Sequence, residues 1–188
     1  MTARLRDLVA PLCAVLALTY LVVMANSGAQ PERTHLIKFE ARGVMAQNQE
    51  TIVRATVAKD GNSKTFVRQA SGWIRPGETK PVSAELAKSI SLAVKFMHTA
   101  EPVRVLKGNE VGRDASTEFG LSKPSLTIRL HDAHGLVLEA FFGDLNSEGM
   151  LHYMRARGRN LRKTGARKYY LMSRFVQHEW QAVFDRAR

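Results

Sequence analysis

The residues best suited to catalysis or metal binding are His131, Asp132 and His134, which occur together in the run His-Asp-Ala-His. Two imidazoles and a carboxylate are ligands that a transition-metal ion accepts, and a metal ion bound there could activate water for hydrolysis. The run lies between two predicted strands, where polar residues also serve as hydrogen-bond partners of the backbone. The sequence therefore leaves an envelope metal-assisted hydrolase as an alternative function, and it predicts no cofactor.

Other catalytic signatures are missing from the sequence. It contains no Gly-x-Ser-x-Gly elbow, no P-loop, no His-Glu-x-x-His motif and no pair of cysteines. Acyl transfer, nucleotide use and the common zinc sites therefore lack their usual residues. We predict a protein that acts by binding in preference to an enzyme.

Positive charge is the second feature, since 28 Lys and Arg residues stand against 17 Asp and Glu residues and leave a formal net charge of +11. Residues 155–168 contain no acidic residue and carry seven basic ones: Arg155, Arg157, Arg159, Arg162, Lys163, Arg167 and Lys168. Such a stretch is typical of a contact site for anionic lipid head groups, an acidic partner protein or another polyanion, or of a solvated loop. The lack of interleaved aromatic residues argues against nucleic acid.

The N-terminal region predicts a location. Residues 8–25 carry no charge, and as a helix with a rise of roughly 1.5 Å per residue they would be about 27 Å long, close to the thickness of a bilayer core. Arg4 and Arg6 precede them, and positive charge is retained on the cytoplasmic side. We expect residues 1–26 to be a signal anchor in the inner membrane, with the N-terminus in the cytoplasm and the domain in the periplasm. Cleavage near Ala25, with release into the periplasm, is the alternative.

The rest of the chain is predicted to be a polar linker, residues 27–33, followed by one domain, residues 34–188. A domain of this length can bury a core of ordinary size. The only cysteine, Cys13, lies in the apolar segment. The domain is therefore expected to be stable without disulfide bonds.

Alternation of apolar and polar residues predicts two β-hairpins in this domain. The first joins residues 51–58 and 64–69 through Asp60, Gly61 and Asn62, and the second joins residues 126–130 and 136–142. Single strands are predicted at 34–40 and 73–75, and residues 150–155 and 168–172 are predicted to form another antiparallel pair across a long loop.

Helical spacing predicts two amphipathic helices, one that begins after Ser83 and one that begins after Ser173. Their apolar residues are Leu86, Ile90, Val94 and Met97 in the first helix and Val176, Trp180, Val183 and Phe184 in the second. Hairpins with segregated helices indicate an α+β fold with an antiparallel sheet, a central helix and a C-terminal helix, preceded by an N-terminal transmembrane segment.

The order of several short motifs resembles a domain-of-unknown-function family of bacterial envelope proteins, often encoded beside ABC-type transporters of the gliding-motility auxiliary kind. Besides the N-terminal segment and the helix from Ser83, the resemblance rests on Gly72-Trp73, Phe119-Gly120-Leu121 with Pro124, and Phe142-Gly143-Asp144 with Tyr153 and Tyr169-Tyr170. Read by themselves, these residues predict a positive φ at Gly120 and a buried side chain at Leu121. The arginine-rich stretch and the single unit depart from the family, whose members often carry several units.

The resemblance implies a membrane-anchored, non-catalytic accessory protein and supplies no catalytic residues. Together with the charge pattern, it predicts an accessory or scaffold subunit of an envelope complex that acts by binding. The expected partners are inner-membrane proteins such as ABC-type transporter subunits, with an anionic lipid surface as a further candidate.

Overall fold

A computed structural model describes residues 3–26, 41–159, 161–162 and 168–187. The chain divides into two compact units, residues 1–39 and residues 40–188. The predicted linker at 27–33 and the predicted strand at 34–40 lie outside the described residues.

The first unit contains helix α1, Ala3–Asn26. Among the described residues, no helix combines the length and the apolar character needed to cross a membrane. This finding corrects the predictions of a transmembrane signal anchor and of a single-pass protein in the inner membrane.

The second unit is built on one antiparallel sheet whose eight strands have the order β3-β2-β1-β5-β6-β7-β8-β4. In chain order the strands are β1 Arg54–Lys59, β2 Asn62–Gln69, β3 Gly72–Ile74, β4 Arg104–Lys107, β5 Leu126–Asp132, β6 Gly135–Leu145, β7 Leu151–Arg157 and β8 Lys168–Ser173. Both predicted hairpins are present, as β1–β2 and β5–β6. The first turns at Asp60 and Gly61, which both take positive φ angles, as a tight hairpin requires.

Two helices cover one face of the sheet and enclose the core. Helix α2, Ala84–Thr99, begins at Ser83, whose hydroxyl accepts a hydrogen bond from the amide of Leu86 at 3.3 Å. Helix α4, Arg174–Arg186, packs against α2 and buries Trp180 completely. The unit is therefore an α+β fold in which an apolar layer joins α2 and α4 to the sheet.

The opposite sheet face is covered at one end by residues 113–124, here called the covering segment, which contains the short helix α3, Ala115–Glu118. Phe119 of this segment stacks on Tyr153 with ring centres 4.0 Å apart and meets Tyr169 edge-on at 5.3 Å. Gly120 has a φ of 67° and Leu121 is buried, so both sequence expectations are confirmed. The covering segment thus occupies the sheet face near β7 and β8.

Candidate functional site

The sheet face opposite α2 and α4 carries no helix among the described residues beyond the covering segment and its helix α3. This helix-free face carries polar side chains in two adjacent rows across β5, β6 and β7. Arg129, Glu139 and Arg157 are partners in the first row, because Glu139 pairs with both of the others in register. Phe141 in the second row pairs with Arg155. Directly opposed residues of antiparallel strands point to the same face, so these side chains are neighbours.

Glu139 is the buried centre of this arrangement. Its neighbours in sequence, Leu138 and Ala140, point into the core, so the carboxylate points to the helix-free face, where its side chain is only 2% exposed. Arg129 Nε donates to Oε1 at 2.7 Å, and Arg157 Nε donates to Oε2. Burial acts to raise the pKa of Glu139, but hydrogen bonds from Arg157 and Arg129 outweigh it and the pKa is lowered.

Phe141 places two guanidinium groups side by side. The guanidinium carbons of Arg155 and Arg157 lie 5.2 and 5.4 Å from the centre of its ring, a cation–π geometry. Neither Arg155 nor Arg54 forms an ion pair with a carboxylate among the described residues. The two rows therefore contain one carboxylate, Glu139, and three arginines, so this part of the face carries a net positive charge.

The same face continues with the next row of side chains along the strands. In that row Arg54 of β1 and His131 of β5 are register partners. The pKa of His131 is lowered, first by burial and then by the charges of Arg54 and Arg129. The lowered pKa favours the neutral imidazole. The four arginines of this surface are here called the arginine face: Arg54, Arg129, Arg155 and Arg157.

The turn that carries His131, Asp132 and His134 is organised by an arginine. Asp132 accepts hydrogen bonds from Arg159, from Gln47 Nε2 at 2.7 Å and from the amide of His134 at 2.8 Å. Burial acts to raise the pKa of Asp132, but these hydrogen bonds and the charge of Arg159 outweigh it and lower the pKa to about 2. Within the described residues, no group of three or more His, Cys, Asp and Glu side chains could hold a metal ion. The metal-assisted hydrolase stays a prediction.

The described members of the basic stretch that was expected to form one loop are distributed over several elements. Arg155 and Arg157 belong to β7, Lys168 belongs to β8, and Arg159 turns back to the β5–β6 turn. Arg162 is tied to a distant segment, because its amide donates to Val44 O at 3.0 Å and its Nη2 to Ala46 O at 3.4 Å. Lys163 and Arg167 lie outside the described residues.

Sequence reasoning missed Arg54, Arg129, Glu139 and Phe141 as members of this site. A signal for Glu139 is present, since it is the single charged residue in the apolar run 136–142. A carboxylate in such a run needs a cation on a neighbouring strand. The hairpin register then points to Arg129, which is ten positions away in sequence.

Neither a protein-family comparison, nor a search of curated proteins, nor a search of solved structures finds a match to this chain. The resemblance of its motifs to an envelope family therefore stays a prediction.

Proposed function

We propose that the protein acts by binding, as an accessory or scaffold subunit, and that the arginine face contacts an acidic segment of a partner protein. One observation carries the proposal: four arginines share a helix-free sheet face, and Glu139, the one carboxylate of the two described rows, is buried beneath two of them. Surface charge of one sign on an ordered sheet steers and orients a partner of opposite charge.

The type of cation favours carboxylates as the recognised group. Arginine presents planar, forked N–H donors that match the two oxygens of a carboxylate, and it remains charged at any physiological pH. The ring of Phe141 is already occupied by two guanidinium groups, so it is not free as a platform for base stacking, which single-stranded nucleic acids require. A transporter subunit, suggested by the motif resemblance, is the proposed kind of partner.

The test compares two double variants with the same loss of charge. Arg54→Gln with Arg155→Gln removes two cations of the face that pair with no described carboxylate. Lys88→Gln with Lys95→Gln removes two exposed cations from α2, on the opposite side of the sheet. Fluorescence anisotropy of a labelled hexaglutamate peptide measures binding to each full-length protein at low and at high salt.

The face variant should bind the peptide about 2- to 30-fold more weakly at low salt, because each exposed ion pair contributes about 0.2–1 kcal/mol. The difference should shrink at high salt, and the α2 variant should stay within about twofold of the wild type. An equal loss of affinity in the two variants would show that binding depends on the net charge of the protein and not on the arginine face. Tighter binding of a single-stranded oligonucleotide, or of vesicles with anionic lipid, would assign the face to a different class of partner.

A further inference from the structure

Arg129 and Arg157 are held by one buried carboxylate, and this arrangement has a consequence for recognition. Both side chains reach Glu139 through Nε, one at each carboxylate oxygen. A guanidinium has five N–H donors, and even a bidentate contact with a carboxylate uses only two of them. No other described residue accepts a hydrogen bond from either guanidinium. At least three donors on each side therefore remain available.

The two guanidiniums are exposed although their anchor is not. The side chain of Arg129 is 48% exposed and that of Arg157 is 71% exposed, against 2% for Glu139. Their Cα atoms lie on strands either side of β6, about 10 Å apart at a strand spacing of roughly 4.8 Å. The side chains converge from there onto the same carboxylate, so two forked donor groups stand side by side.

On this basis, which rests on the proposed function, we infer that Glu139 is a positioning residue: it orients Arg129 and Arg157 as a paired receptor for the carboxylates of an acidic segment. A flexible arginine loses much side-chain entropy when it grips a ligand. Here Glu139 already restricts both side chains in the free protein, and a receptor organised in advance binds more tightly. Phe141 restricts Arg157 further through its ring face.

This inference makes a prediction of opposite sign to simple electrostatics. Glu139→Gln removes a negative charge from a face that binds anions, so charge alone predicts tighter binding of hexaglutamate. Positioning predicts weaker binding, because the glutamine amide accepts through only one atom and its NH2 group faces the second guanidinium. We expect binding to the full-length variant to weaken by at least about fivefold.

Glu148→Gln is the matched control, since it removes the same charge from an exposed position outside the two rows. Its binding should be unchanged or slightly tighter. Arg129→Lys is a second variant that keeps the net charge but loses the fork, and it too should weaken binding. It keeps the inference testable if Glu139→Gln does not fold, which near-ultraviolet circular dichroism of each variant establishes.

A separate readout concerns the arginines themselves. In the wild type, the Nε–H groups of Arg129 and Arg157 are hydrogen-bonded to Glu139, so NMR should detect them as slowly exchanging. In Glu139→Gln one amide oxygen remains as an acceptor, so at least one of the two signals should broaden or vanish. A loss of folding stability alone would not change them in the folded variant.

The outcomes separate this inference from the proposed function. If the wild type binds no hexaglutamate, the proposed function fails. If the Arg54 and Arg155 double variant weakens binding while Glu139→Gln and Arg129→Lys bind as tightly as the wild type or more so, only the positioning role is refuted. Titration with inorganic phosphate forms a further arm: stronger competition by phosphate than by glutarate would assign the receptor to phosphoryl groups and overturn the choice of carboxylates.

Discussion

Replacement of Gly143 by alanine tests how the covering segment is attached to the sheet. A Cβ atom at this position would lie 2.0 Å from the carbonyl oxygen of Phe119 and 3.1 Å from two side-chain carbons of Leu121. Cβ atoms do not approach non-bonded heavy atoms within 3.0 Å, so the covering segment would have to move away from β6 by about 1 Å. The same carbonyl accepts the amide of Asp144 at 2.9 Å, and the ring of Phe119 stacks on Tyr153, so both contacts would be disturbed.

The magnitude follows from these contacts. Overpacking costs about 1–3 kcal/mol and a lost backbone hydrogen bond about 0.5–1.5 kcal/mol, so Gly143→Ala should lower the free energy of unfolding by about 2–4 kcal/mol. For a unit of this size, Tm should fall by roughly 4 to 16 °C. Urea and thermal denaturation, followed by circular dichroism, measure both quantities.

Gly112→Ala is the control, because the nearest atom to its Cβ is Glu118 Oε1 at 3.9 Å and its φ is not in the left-handed region. This replacement should leave stability unchanged or raise it by up to about 1 kcal/mol. If Gly143→Ala were as stable as Gly112→Ala, the close approach of the covering segment to β6 would be refuted.

Two further predictions concern the core and the response to acid. Trp180→Ala should lower the free energy of unfolding by about 3–5 kcal/mol in urea denaturation, against under about 1 kcal/mol for Phe175→Ala, a residue that is 46% exposed. Similar losses would show that α4 does not pack as described. The pKa of Asp132 falls from an ordinary 3.8 to about 2 on folding, so its contribution to stability is present above pH 4 and lost as pH falls toward 2. Urea midpoints between pH 5 and pH 2.5 should therefore decline less steeply in Asp132→Asn than in the wild type, and parallel curves would refute this role.

Local patterns were sufficient to predict most of the second unit's elements. The strands of both hairpins follow from alternation over a few residues, and α2 begins where Ser83 supplies a side-chain acceptor. Such features depend on residues that are close in sequence. Strand β4 was missed because it is only four residues long and buries one of them, Leu106, which leaves too little alternation to detect.

The candidate site could be predicted only in part. The basic stretch was visible in the sequence, and two of its residues, Arg155 and Arg157, do lie on the arginine face. Arg159 belongs elsewhere, since it pairs with Asp132 in the β5–β6 turn. The three arginines alternate at the same spacing along the chain, so spacing does not separate Arg159 from the other two. The strand β7 ends at Arg157, and a residue beyond that end no longer lies on the sheet face.

By itself, the sequence determined the net charge, the lack of common catalytic motifs, the hairpins and the amphipathic helices. The apolar run near the N-terminus predicted a helix, which α1 is, but hydropathy also predicted a membrane span that the described structure corrects. Only the tertiary structure decided that Arg129 and Arg157 flank Glu139, which lies 10 positions from one and 18 from the other. The physical reason is that strand order and register bring distant residues together, and a buried carboxylate is stable only where that register supplies its cations.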